Sequence, residues 1–77
     1  MELMVERLVD FDTVVVKAVT ELERKHGCMI FIQTDNVDRY AAVVFADGRM
    51  IPATKLCGVG ESKFALCTAL RRFMRGV

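Results

Sequence analysis

The chain has 77 residues, which is room for one domain and one core. A hydrophobic fraction of 53% beside 27% charged residues excludes a disordered chain and leaves apolar surface over once a small core is filled. Eleven basic against ten acidic residues weigh against a dedicated phosphate-backbone binder, and no apolar run has membrane-spanning length.

In chain order, Met4, Leu8, Phe11, Val15, Ala18 and Leu22 recur at spacings of four and three, as on one stripe of a helix. Lys25-His26-Gly27 is a basic last turn followed by a glycine stop. The start has two readings. Either Asp10 or Asp12 caps a helix beginning near Phe11, leaving residues 2–9 as a helical turn, strand or arm, or one helix runs from Glu2 to His26. The stripe also has heptad spacing, so a dimer seam stands beside the core-facing reading.

Cys28 to Gln33 is an apolar run closed by the turn-prone Thr34-Asp35-Asn36, and Tyr40 to Ala46 is a second strand. Asp47-Gly48 is a hairpin turn, because glycine tolerates the positive φ such turns need. The chain returns through Arg49-Met50-Ile51, and Pro52, which has no amide hydrogen, marks an edge strand or a bulge before the strand continues through Ala53-Thr54-Lys55-Leu56. Gly58-Val59-Gly60-Glu61 is a connecting loop. Ser62 caps a final helix to about Met74, with Ala65, Leu66, Ala69, Leu70 and Phe73 on its apolar stripe. The expected fold is α+β, a three-stranded antiparallel sheet with the N- and C-terminal helices on one face (α-β-β-β-α), all in a single domain of residues 1–77.

A sheet covered on one face should be polar on the other, yet both alternating sets of the first two strands are apolar. With Met29, Phe31, Ala41, Val43 and Phe45 as the outward set, the sheet carries a protein-interaction surface. Whether residues of the N-terminal segment cover that face is left open.

No catalytic constellation emerges. The single histidine, His26, sits at a helix end where the dipole favours a cation, and nothing in the spacing joins it to Cys28, Cys57 or Cys67. One histidine and scattered cysteines make no metal pattern, and Gly58-Val59-Gly60-Glu61-Ser62-Lys63 lacks the Gly-Lys-Ser/Thr of a phosphate loop. Three unpaired-looking cysteines and no secretory signal indicate a reduced, cytoplasmic protein whose thiols act as small buried hydrophobes.

From Tyr40 to Phe73 the chain resembles a double-stranded RNA-binding domain. A strand ending Val43-Val44-Phe45, a hairpin, a third strand, then Gly58-Val59-Gly60-Glu61-Ser62-Lys63 and a helix with Ala65 and Ala69 carry the resemblance. It implies lysines at the start of the last helix meeting phosphates, of which Lys63 alone matches, while Phe64 and Leu66 stand where further charge belongs. The loop Thr34-Asp35-Asn36-Val37-Asp38-Arg39 replaces the family's Gly-Pro-x-His element.

The reading is therefore a non-catalytic interaction module, a homodimer or an adaptor or inhibitor of a protein partner, with no cofactor and no membrane contact. Its compact size also suits an accessory protein of a phage or mobile element. The alternative is a domain binding double-stranded RNA or other nucleic acid through Lys63, Arg71, Arg72 and Arg75.

Overall fold

Asp12 and Gly27 bound the first helix. The Val14 amide donates to Asp12 Oδ1 at 2.9 Å, which satisfies one of the orphan amides of the first turn. At the other end Gly27 takes the left-handed conformation (φ 64°, ψ 52°) and its amide donates to the Glu23 carbonyl. The computed structural model describes residues 3–6 and 12–77, with elements β1 (Met4–Glu6), α1 (Thr13–His26), β2 (Cys28–Thr34), β3 (Asp38–Phe45), β4 (Met50–Gly58) and α2 (Lys63–Arg75).

The sheet is antiparallel with strand order β1-β2-β3-β4, so the fold is α+β but with four strands, not three. The added strand is β1, in register with the end of β2 through Met4↔Thr34, Val5↔Gln33 and Glu6↔Ile32. Met4 thus leaves the helical stripe: it sits on a sheet edge and is exposed. A single helix from Glu2 is overturned by this pairing, while Asp10, Leu8 and Phe11 lie outside the described residues. Among the described residues the rest of the stripe, Val15, Ala18 and Leu22, holds. Val15 and Ala18 are buried with Val19, and Leu22 packs against the core, so the stripe serves this chain's own core and not a coiled-coil seam.

The β3–β4 hairpin turns where Asp47-Gly48 predicts. Gly48 has φ 91°, its amide donates to the Phe45 carbonyl, and Asp47 Oδ1 accepts from the Arg49 amide. β4 is the far edge. Its ladder is interrupted between Arg39 and Tyr40 and between Ala41 and Val43, and Pro52 supplies no donor, so this nine-residue edge is poorly suited to pair with another strand. The opposite edge is protected differently: β1 has only three residues, and beyond it the Ile30 amide donates to Glu23 Oε2 of α1 at 2.8 Å.

Both helices lie on one face of the sheet. Val15, Ala18 and Val19 of α1 and Leu66, Cys67, Leu70 and Met74 of α2 form one cluster with Ile30, Ile32, Ala41 and Val43. Fully burying a side chain such as Ile32 or Leu70 contributes about 1.5–3 kcal/mol. The helices run in parallel. Lys63 Nζ at the start of α2 donates to Asp12 Oδ2 at 3.0 Å at the start of α1, and Leu22, Lys25 and His26 late in α1 meet Arg71 and Arg75 late in α2. Among the described residues no helix is long and apolar enough to cross a membrane.

Candidate interaction surface

The period of two along a strand gives each of its side chains a face, and strand register then decides which residues share it. β2 and β3 pair with Cys28↔Phe45, Met29↔Val44, Ile30↔Val43, Phe31↔Ala42 and Ile32↔Ala41. Cys28, Ile30 and Ile32 are buried beneath the helices, so Ala41, Val43 and Phe45 are buried with them. Met29 and Phe31 point the other way, and their partners on that face are Val44 and Ala42.

This corrects the expected outward set. Met29 and Phe31 belong to it, whereas Ala41 and Val43 are fully inaccessible and Phe45 is buried. Strand assignment alone does not distinguish the two sets of β3, since both are apolar. The β2–β3 turn does. Asp35 Oδ1 accepts from the Val37 and Asp38 amides, both at 2.7 Å, and the Asp35 amide donates to the Asp38 carbonyl, which sets Thr34 opposite Arg39. Counting back from that pair puts Phe31 across from Ala42.

The outward face has a graded composition. One row across the sheet is Met29–Val44–Met50, with Met29 59% and Met50 71% exposed. The next holds Phe31 and Ala42. A third, Val5–Gln33–Tyr40–Lys55, turns polar. Here the Tyr40 hydroxyl donates to Asp35 Oδ2 at 2.7 Å, and Lys55 Nζ lies 3.6 Å from Asp38 Oδ1. The amides of Asp38 and Val37 and the Tyr40 hydroxyl hold the Asp35 carboxyl below its ordinary range. The same bond to Asp35, with some burial, pushes the Tyr40 phenol up. An apolar patch thus ends at a polar rim, as protein contact surfaces do. Methionines at 29 and 50 add adaptable contact surface.

The four basic residues expected to meet nucleic acid do not share one face; of them only Arg71 and Arg75 come together. Lys63 is engaged by Asp12. Arg71 and Arg75 face α1, where they line a cleft with Glu21, Leu22, Lys25 and His26. Arg72 turns towards β4, beside Lys55, Leu56 and Phe73. The glycine loop before α2 is occupied by the chain itself: the Gly58 amide donates to Glu61 Oε2 at 2.6 Å, and the Val59 amide to the Val37 carbonyl. Ser62 Oγ accepts from the Ala65 amide at 3.2 Å and serves as the N-cap of α2.

The three cysteines are free and buried. Burial, reinforced by Glu23 for Cys28 and by Glu61 for Cys57, raises both thiols above their ordinary value, the opposite of an activated nucleophile. Among the described residues no group of three or more His, Cys, Asp or Glu side chains is placed to hold a metal ion. No protein-family model matches the chain, and neither the search of curated proteins nor that of solved structures returns a match.

Proposed function

We propose that this chain is a small non-catalytic interaction module that docks through the outward face of its sheet, and that its partner on that face is a second copy of itself. The observation that carries the reading is the uncharged row Met29–Val44–Met50, its two methionines exposed, with half-buried Phe31 and Ala42 beside it, on a face that neither α1 nor α2 covers. Leaving such a patch in water forgoes about 25 cal/mol for each square ångström that a partner would cover.

Edge geometry supports the choice of partner, and size sets the strength of the contact. Strands of seven to nine residues about 4.8 Å apart, with the three-residue β1 beside them, present a footprint on the order of 400 Å² on each side, so two facing copies would bury about 800 Å² in total, the size of a weak, concentration-dependent contact. Two twisted sheets stack face to face with about 10 Å between them, and the same patch on both partners satisfies a two-fold axis. Edge-to-edge pairing is the competing route to a dimer, and Pro52 with the two ladder interruptions disfavours it on β4. Adaptor or inhibitor roles would use the same face on a different protein.

Concentration-dependent amide shifts in the 15N-labelled chain test this. Shifts confined to Met29, Phe31, Ala42, Val44 and Met50 and their neighbours support it. Shifts confined to α1 and α2, or none up to the solubility limit, would sink it.

A further inference from the structure

We propose that the cleft between the C-terminal halves of α1 and α2 is a binding site for a phosphate-bearing small molecule, held by Lys25, His26, Arg71 and Arg75. It lies in the helical layer, not on the outward sheet face, so it stands or falls apart from the docking reading.

The cleft has a volume of about 400 Å³ and is lined by Glu21, Leu22, Lys25, His26, Arg71 and Arg75. This is within the range of small-ligand sites. With His26 neutral, three cations and one carboxylate give the lining a charge of +2, twice the +1 of the entire chain. The excess basic charge is thus concentrated at one place.

A cation near a helix C-terminus is favourable on any side of the helix, so the dipole accounts for basic residues there but not for their convergence. Arg71 and Arg75, spaced i and i+4, share the side of α2 that faces α1, and Lys25 and His26 approach from the other wall. Like charges gathered round one cleft repel one another. Among the described residues the ion pairs join Arg49 to Asp47, Lys55 to Asp38 and Lys63 to Asp12, and none takes up Lys25, Arg71 or Arg75. Even Glu21, one helical turn from Lys25, forms no ion pair with it.

Two guanidinium groups with free planar donor edges suit the tetrahedral oxygens of a phosphate, which they can grip with paired hydrogen bonds. Lys25 adds a mobile point charge, and the imidazole of His26 an N–H donor. Half-buried Leu22 gives the cleft an apolar contact, and Glu21 sets a limit on the charge it tolerates.

The test is a titration of the 15N-labelled full chain with pyrophosphate at constant ionic strength, with sodium chloride as the reference, repeated with ATP and with a short RNA duplex. Saturable amide shifts at Lys25, His26, Arg71 and Arg75, weakened about tenfold or more in Arg71→Gln/Arg75→Gln with its spectrum otherwise native, are expected. Pyrophosphate and ATP binding alike would show that the phosphate group suffices, and tighter ATP binding that the cleft also takes a nucleoside. Shifts that do not saturate, an affinity unchanged in the double variant, or binding of the duplex there without binding of pyrophosphate would each overturn the proposal.

Discussion

The Ile30 amide donates to the Glu23 carboxylate at 2.8 Å, at the point on β2 where β1 has ended. A helix residue thereby pairs a strand donor that lies beyond the register of β1. The bond couples the last turns of α1 to the sheet and satisfies a backbone donor that would otherwise be left on a half-covered edge. Glu23→Ala should lower stability by about 1–2 kcal/mol, as expected for losing a hydrogen bond to a charged acceptor that is only partly shielded. Glu23→Gln retains an acceptor and should recover part of that loss. Urea denaturation midpoints of the two variants check this, and equal losses would mean that the bond carries no weight.

Phe31 and Val43 separate the two faces experimentally. Val43 is fully buried, so Val43→Asp places a carboxylate in the core at a cost of several kcal/mol, comparable to the stability of a small domain, and should unfold it. Phe31→Asp puts the same group on the outward face and should leave circular dichroism and melting largely native.

The N-cap of α2 should also respond to substitution. Ser62→Ala removes the acceptor for the Ala65 amide and should cost about 1 kcal/mol. Ser62→Asp keeps an acceptor at the positive end of α2 and should match or exceed the wild-type melting temperature.

The pH dependence follows from the surface carboxylates and Tyr40. Asp12, Asp35 and Asp47 are all held below their ordinary values, chiefly by backbone amides donating to them. Their contribution to stability is present above the unfolded carboxylate value and is lost as pH falls through the lower folded values. Tyr40 is raised, chiefly by its bond to Asp35, so its contribution is present below the ordinary phenol value and is lost as pH rises through the higher one. Melting temperature should therefore fall on both flanks. Tyr40→Phe should flatten the alkaline flank, and an unchanged alkaline slope would refute the assignment.

Much of this fold is legible in the sequence because local chemistry decides it. Gly27 ends α1, Ser62 opens α2, and Asp47-Gly48 turns the hairpin, each through a requirement of the residue itself. What escapes is decided by pairing. Met4 fits a helical stripe as well as it fits a strand, and its pairing with Thr34, thirty positions away, settles the matter. Ala41, Val43 and Phe45 were indistinguishable from Ala42 and Val44 as candidates for the outward face, because strand alternation says nothing when both sets are apolar. The Asp35 turn that fixes the register is visible in the sequence, but its consequence appears only once Thr34 is placed opposite Arg39. The Lys25–Arg71 cleft is less legible still, since it depends on the two helices lying parallel.

The most direct test of the docking surface is sedimentation velocity of the wild-type chain and Phe31→Asp over a micromolar-to-millimolar range. The wild type should pass from monomer to dimer with rising concentration, and Phe31→Asp should weaken association by roughly thirtyfold or more, as for a central contact worth about 2 kcal/mol. A wild type that stays monomeric throughout, or a Phe31→Asp variant that dimerises as well as the wild type, would contradict it.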